Sequence, residues 1–201
     1  MSSETILVVE DDGILAAHLH DMLTRCGYTV PEPVATGEAA LATLVTSLPD
    51  LVLMDIYLAG PMNGVTAAQR IHAYFDIPVI YLTAFSTEAL LHQAKITTPY
   101  GYLIKPVLER ELLATLEMTL YRHQIDRRLK NSEERLALAL WGADIGIWDW
   151  NVYTDTALYS PRWTEMLGYQ PEEIAPHRHG WEKRVHPEDL SAVLEALNAH
   201  L

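Results

Sequence analysis

Short apolar runs alternate with stretches of helical periodicity through about the first half of the chain, and this alternation limits the fold more than any other feature. Short apolar runs predict four buried strands, at residues 6–9, 51–54, 78–82 and 102–104. Residues 28–34 predict an edge strand, because Pro31 and Pro33 cannot donate to a β-ladder. Helical spacing predicts helices at residues 13–26, 38–48, 65–75 and 88–95. This order predicts a five-stranded, doubly wound parallel sheet with helices on both faces.

Reactive side chains follow these strands where the strands end. The carboxyl ends of parallel strands meet at one edge of a sheet, where α/β proteins bind their ligands. That edge would collect Glu10, Asp11, Asp12, Asp55, Thr83 and Lys105. Clustered carboxylates repel one another unless a cation lies among them, and oxygen ligands favour a hard cation such as Mg²⁺. A lysine there can neutralise a phosphoryl oxygen, and a carboxylate can attack phosphorus to form an acyl phosphate.

Two of these features also have a simpler, structural interpretation. Asp12 directly precedes the first predicted helix and could serve only as its N-cap. The Lys-Pro pair at residues 105–106 could be part of an ordinary loop. We favour the chemical interpretation because the carboxylates, the hydroxyl and the ammonium follow four different strands in an order that brings them to one edge.

Four motifs closely resemble the receiver domain of two-component response regulators. They read I-L-V-V-E-D-D at residues 6–12, L-M-D-I at 53–56, Y-L-T-A at 81–84 and G-Y-L-I-K-P at 101–106. The resemblance covers about residues 4–121, and we assign residues 1–121 to a receiver domain. It implies a flavodoxin-like α/β fold and phosphorylation by a cognate histidine kinase or phosphotransfer protein.

The resemblance also implies a metal site at the phosphorylated residue. Asp55 would be the phosphoacceptor. Asp11, Asp55 and the backbone carbonyl of Tyr57 would bind Mg²⁺ or Mn²⁺ directly, and Glu10 would act on the ion through a water molecule.

Three further residues, Thr83, Lys105 and Tyr102, would respond to the phosphoryl group. Thr83 and Lys105 would bind its oxygens, and Thr83 and Tyr102 would form the switch. Tyr102 occupies the position of the family's switching aromatic residue, and its alternative is an ordinary half-buried strand residue.

Residues 109–140 contain neither proline nor glycine and predict one long helix. Apolar side chains recur along it at roughly heptad spacing, at Met118, Ile125, Leu129 and Leu136. Arg122 and Ser132 interrupt this seam. One interpretation is a homodimer through a parallel coiled coil of the 109–140 helix, and the other is a solvated linker helix in a monomer.

The last third of the chain resembles the N-terminal half of a PAS sensor domain, an α+β fold. The matching motifs are G-I-W-D-W at residues 146–150, M-L-G-Y at 166–169 and H-P-E-D-L at 186–190. We assign residues 122–140 to a helical connector and residues 141–201 to a partial PAS domain. Because a PAS domain continues with three more strands, we expect the chain to be a fragment or this half to be covered by a partner.

The composition argues against several classes of cofactor and binding partner. Cys26, the only cysteine, lies in the receiver region, which excludes a flavin-photoadduct PAS domain and a cysteine-based zinc site. No histidine stands at a recognisable haem-ligand position, so we expect neither haem nor flavin. A net charge of −13 argues against binding to nucleic acid or anionic membranes. No secretory signal or membrane-spanning run is visible, so we expect a cytoplasmic protein.

These features predict a phosphorelay switch that passes a signal from Asp55 through the long helix to the PAS region and an output outside this chain. One alternative is an enzyme, a phosphotransferase or phosphatase with an aspartyl-phosphate intermediate. Such phosphatases carry a second Asp two residues after the nucleophile, where this chain has Tyr57, so we expect no substrate turnover. The other alternative is a passive phosphate sink or interaction module. The sequence identifies neither the kinase, the PAS signal, the output nor the oligomeric state.

Overall fold

The computed structural model describes residues 4–84 and 100–199. The chain forms two compact units, Met1–Leu129 and Lys130–Leu201. The helix predicted at residues 88–95 lies outside the described residues. Among the described residues, no helix combines the length and the apolar character needed to cross a membrane.

The first unit is built around a parallel sheet of buried strands. The strands are β1 (Ile6–Val9), β2 (Leu51–Asp55), β3 (Val79–Thr83) and β4 (Gly101–Ile104), and they lie side by side in that order. The register pairs Val9 with Met54, Asp55 with Leu82, and Thr83 with Ile104. The carboxyl ends of all four strands therefore meet at one edge of the sheet.

The prediction of a fifth strand at residues 28–34 is wrong. Four parallel strands form the sheet in the described part of the chain, and this segment contributes only isolated bridges, Thr5 to Thr29 and Val9 to Val34. Its ends do bond to the β1 edge, where the Ile6 amide donates to the Thr29 carbonyl at 2.8 Å. Pro31 and Pro33 lie between these two contacts, and their missing amide protons prevent a continuous ladder.

Helices cover both faces of the sheet, as predicted. Helices α2 (Gly37–Thr46) and α3 (Gly64–Phe75) pack on the face that presents Leu7 and Met54. Helix α1 (Gly13–Arg25) and the start of α4 (Glu109–Ala143) pack on the face that presents Val8 and Leu53. Alternate residues of each strand thus point to opposite cores, which fixes the strand register because a slip by one residue would exchange the two faces.

Helix α4 confirms the prediction of one long helix and contributes residues to both units. Its buried residues recur at helical spacing and are Leu112, Leu116, Thr119 and His123. The residues predicted to form a seam are 44–73% exposed, namely Met118, Ile125, Leu129 and Leu136.

The second unit contains a two-stranded antiparallel sheet and short helices. Strand β5 (Trp148–Asn151) pairs with β6 (Thr156–Tyr159). Helices α5 (Pro161–Met166), α6 (His179–Glu182) and α7 (Pro187–Asn198) follow, with a 3₁₀ turn at Pro171–Glu173. Ser160 caps α5 and His186 caps α7, with proline in the first turn of each helix.

Candidate active site

The strand ends place the predicted residues along one edge of the sheet. Glu10 follows β1, Asp55 is the last residue of β2, Thr83 is the last residue of β3, and Lys105 follows β4. Since these strands are neighbours in the sheet, four residues that are distant in sequence are brought together by the topology alone.

Lys105 joins two buried carboxylates. Its Nζ atom lies 2.7 Å from Glu10 Oε2 and 2.7 Å from Asp55 Oδ2. Glu10 is 2% exposed and Asp55 is 5% exposed. Removing a partner from a buried ion pair leaves an uncompensated charge and costs about 3–5 kcal/mol. The ammonium therefore holds both carboxylates in place at the sheet edge.

One ammonium does not compensate two carboxylates, and the pKa values reflect this. Burial raises the pKa of Glu10 from 4.5 to about 7; Lys105 opposes the shift, and the neighbouring Asp55 adds to it. Burial acts to lower the pKa of Lys105, but its hydrogen bond to Asp55 and the charges of both carboxylates outweigh burial and raise it. The cluster therefore has an excess of negative charge that a further cation would relieve.

The oxygen atoms of this cluster fit a divalent cation. Glu10, Asp11 and Asp55 each offer a carboxylate oxygen, and these atoms lie within 4.8 Å of one another. Glu10 Oε2 is fully buried, and its contact with Lys105 is an ion pair rather than a directed hydrogen bond. Asp11 is exposed, which leaves solvent access for the waters that Mg²⁺ retains. An all-oxygen set of carboxylates suits Mg²⁺ or Mn²⁺ better than a thiophilic metal.

Asp12 has the structural role that we considered as the alternative. Its Oδ1 atom accepts hydrogen bonds from the amides of Ile14 at 2.9 Å and Leu15 at 3.2 Å. These contacts make Asp12 the N-cap of α1, a role worth about 1 kcal/mol. Asp12 is not a member of the carboxylate cluster.

Of the remaining predicted residues, Tyr57 contacts this cluster, and Thr83 and Tyr102 make other contacts. The Tyr57 amide donates to Asp55 Oδ1 at 3.1 Å, so the main chain of the following loop turns back over the carboxylate. The half-buried Thr83 hydroxyl donates to the Ala84 carbonyl at 3.3 Å. Tyr102 is half-buried and stacks on Tyr81, with ring centroids 5.8 Å apart and planes at 28°.

Gly64 is a residue of the site that our sequence analysis missed. A Cβ atom on Gly64 would lie 1.8 Å from the main-chain oxygen of Asp55, so only glycine fits there. The Gly64 amide donates to the Ile56 carbonyl at 3.0 Å, and Asn63 caps α3 by accepting from the Thr66 amide at 2.8 Å. The Asn-Gly pair before the helix was the available signal, because asparagine is a favoured N-cap. Gly64 lets α3 approach the strand that ends at Asp55.

Two family models match the chain in the order predicted. The model described as "Response regulator receiver domain" matches residues 6–117, more than half of the chain. The model described as "PAS fold" matches residues 157–201.

Individual relatives match a little under two thirds of the chain. The uncharacterized transcriptional regulatory protein YrkP of Bacillus subtilis is 36% identical over 129 residues, which cover 64% of this chain and 54% of the relative. The signal receiver domain of a modulated diguanylate cyclase from Desulfovibrio desulfuricans has a TM-score of 0.60 at 33% identity, covering 62% of this chain and 99% of that one.

A second solved structure is more similar in sequence. The N-terminal domain of a response regulator/sensory box/GGDEF 3-domain protein from Carboxydothermus hydrogenoformans has a TM-score of 0.57 at 37% identity. It covers 61% of this chain and 98% of that one. The chain spans about half the length of the curated relatives that it matches.

The raised pKa of Glu10 predicts how stability changes with pH when no divalent cation is present. Between pH 4.5 and about 7 the folded protein holds a proton on Glu10 that the unfolded chain has released. The free energy of unfolding should therefore receive from Glu10 a contribution that falls as the pH rises through this window. Urea unfolding in EDTA at several pH values measures this dependence, and Mg²⁺ should restore stability at pH 7.

Glu10→Gln should lose this contribution, whereas the same substitution at the exposed Glu134 should retain it. If the wild-type protein and Glu10→Gln show the same dependence between pH 4.5 and 7, Glu10 does not hold the proton.

Proposed function

The chain belongs to the response regulator receiver family, and we propose that it is a two-component signalling protein whose Asp55 accepts a phosphoryl group from a histidine kinase or a phosphotransfer protein. The observation that carries this proposal is the pairing of Asp55 Oδ2 with the Lys105 ammonium at 2.7 Å. It supports a carboxylate that is buried, held in one orientation and placed beside the cation that a phosphoryl group requires.

The transfer is a substitution at phosphorus. A carboxylate oxygen of Asp55 attacks the phosphorus atom of a phosphohistidine, the phosphorus–nitrogen bond breaks, and the imidazole leaves with the electron pair of that bond. The product is an acyl phosphate on Asp55. The Lys105 ammonium moves from the carboxylate to a phosphoryl oxygen and neutralises its charge.

Glu10, Asp11, Asp55 and the backbone carbonyl of Tyr57 would hold Mg²⁺ or Mn²⁺. When bound, the ion neutralises the carboxylates and the phosphoryl oxygens, so that two sets of negative charges can approach each other. With the ion bound, Glu10 would be ionised, because the ion would replace the charge that the proton compensates.

The response to phosphorylation begins at Thr83 and Tyr102. The added phosphoryl group brings a charge of about −1.5 to −2 and new acceptor oxygens. The Thr83 hydroxyl turns from the Ala84 carbonyl to one of these oxygens, and Tyr102 moves into the space that Thr83 leaves. The partial exposure of Tyr102 supports this role, because its ring can change position without breaking the main-chain ladder.

The chain acts as a phosphoacceptor and does not turn over a substrate. In the phosphatases with this chemistry, a second aspartate lies two residues after the nucleophile. Tyr57 stands at that position, and its side chain is exposed. The signal passes from the receiver domain at residues 1–121, through the connector at 122–140, to the PAS portion at 141–201 and an output outside this chain.

Phosphorylation by a small donor tests the proposal. Acetyl phosphate with Mg²⁺ should label the wild-type protein, and Asp55→Asn should abolish the label because the amide cannot form an acyl phosphate. Asp12→Asn is the matched control: it makes the same change three residues from β1 but keeps a good N-cap, so it should be labelled like the wild type. Equal labelling of Asp55→Asn would contradict the assignment.

The proposed partner for helix α4 is the same helix of a second copy. The exposed apolar residues follow a heptad pattern with Leu129 and Leu136 at a positions and Ile125 at a d position. Arg122 interrupts this seam, but it already interacts within its own chain, lying 3.9 Å from Asp126 and 5.5 Å from the centre of the Tyr100 ring. The apolar part of the seam therefore begins at Ile125, and Ser132 interrupts it once between Leu129 and Leu136.

Charges beside the seam support a parallel orientation. Arg128 occupies a g position and Glu133 the following e position, and both side chains are exposed. In a parallel pair, Arg128 lies opposite Glu133 of the second copy, and the contact occurs twice. In an antiparallel pair, Arg128 would face Arg135 and Asp126 would face Glu133, so like charges would oppose each other.

Charge exchange tests this dimer by sedimentation equilibrium. Arg128→Glu should weaken association by about 1–2 kcal/mol, roughly 5- to 30-fold in Kd, because it places like charges together twice. Glu133→Arg should do the same, and the double variant should recover the wild-type Kd. A monomeric wild type at all concentrations contradicts the dimer, and an Arg128→Glu variant that associates more tightly indicates the antiparallel orientation instead.

A further inference from the structure

Helix α4 makes its last buried contact with the first unit at His123. The buried face of the helix ends there, and residues 124–139 are all exposed. His123 lies four residues after the buried Thr119, so it continues the same face for one more turn. Any movement of the sheet that reaches the exposed part of the helix must pass this turn or an earlier one.

Tyr100 links this turn to the sheet. It immediately precedes β4, and its amide donates to the Val79 carbonyl at 3.3 Å. Its hydroxyl lies 3.1 Å from His123 Nδ1 and 3.2 Å from Asp126 Oδ2. The Tyr100 and His123 rings meet edge to face, with centroids 5.4 Å apart at 87°. The side chain that directly precedes β4 thus contacts both the last buried residue of α4 and the first exposed turn beyond it.

The Tyr100 hydroxyl has one proton and two acceptors. Burial lowers the pKa of His123, which favours a neutral ring with one accepting nitrogen. In the tautomer that carries its proton on Nε2, that acceptor is Nδ1, the atom that lies 3.1 Å from the Tyr100 hydroxyl. The Tyr100 hydroxyl can therefore donate a hydrogen bond either to His123 or to Asp126. The contact between Tyr100 and helix α4 thus has two hydrogen-bond arrangements, and they hold the helix differently.

The main chain of one short segment connects Tyr100 to Tyr102. The β3–β4 pairing holds Tyr102 beside Tyr81, and the Tyr100 amide bonds to the Val79 carbonyl on the same strand. A displacement of the main chain at Tyr102 would therefore displace Tyr100, two residues before it.

We propose that Tyr100 is the coupling residue that transmits phosphorylation at Asp55 to helix α4. Its hydroxyl would do so by changing its hydrogen-bond acceptor between His123 and Asp126. This inference rests on the proposed function, because it requires a phosphorylated state to transmit. The contact between Tyr100 and α4 lies at the opposite end of β4 from Lys105, and Tyr100 is not one of the phosphoryl-binding residues.

Hydrogen exchange on the full chain tests the coupling. Beryllofluoride with Mg²⁺ mimics the acyl phosphate, and it should change the exchange rates of the α4 amides at residues 124–139 in the wild-type protein. Tyr100→Phe keeps the ring and removes the hydroxyl, so this change should fall by roughly twofold or more. Tyr121→Phe, the same substitution at an exposed tyrosine of α4, should respond like the wild type.

Asp126→Ala provides a second variant at an exposed site, where folding is not at risk. It removes one of the two acceptors, so it should reduce the response as Tyr100→Phe does. Acetyl phosphate should label Asp55 in all of these variants. A chain that is not labelled contradicts the proposed function itself. A labelled Tyr100→Phe with a wild-type response, or a labelled wild type with no change in α4, overturns the coupling alone.

Discussion

The ammonium of Lys105 between two buried carboxylates is the interaction on which the rest of the site depends. Glu10 and Asp55 follow different strands and would repel each other at this edge without a cation. Lys105 reaches both at 2.7 Å, which allows the sheet to close with two acids in its edge. The remaining negative charge raises the pKa of Glu10 and creates the need for a second, exchangeable cation. Stability and phosphoryl chemistry therefore share the same residues.

The pattern of apolar residues in the sequence was sufficient to predict the strands of the sheet and their order along the chain. Buried parallel strands are continuous apolar runs, so β1, β2, β3 and β4 were each located within a few residues. Their order then placed Glu10, Asp55 and Lys105 at one edge without any knowledge of distances. The prediction for residues 28–34 was wrong because their apolar content indicated a strand. The two prolines prevent a ladder there, and only isolated bridges form.

Contacts between residues that are distant in the sequence could not be predicted from the pattern of apolar and polar residues. The Asn-Gly pair marks the start of α3, but it does not indicate that Gly64 lies against the main-chain oxygen of Asp55, because this depends on how closely α3 approaches β2. The contact between Tyr100 and His123 likewise depends on the angle at which α4 crosses the sheet. The choice between the two roles of Asp12 needed the two amide hydrogen bonds that make it a cap. Packing geometry, rather than composition, decides each of these cases.

Chemical location of the phosphoryl group tests the role of Asp55 most directly. Borohydride reduces an acyl phosphate of aspartate to homoserine, which mass spectrometry identifies by residue. After treatment with acetyl phosphate, we expect conversion at Asp55 alone, dependent on Mg²⁺ and lost when Lys105 is replaced by methionine. Conversion at Glu10, Asp11 or Asp12, or conversion at Asp55 that is indifferent to both the metal and Lys105, would contradict the central role of the paired carboxylates.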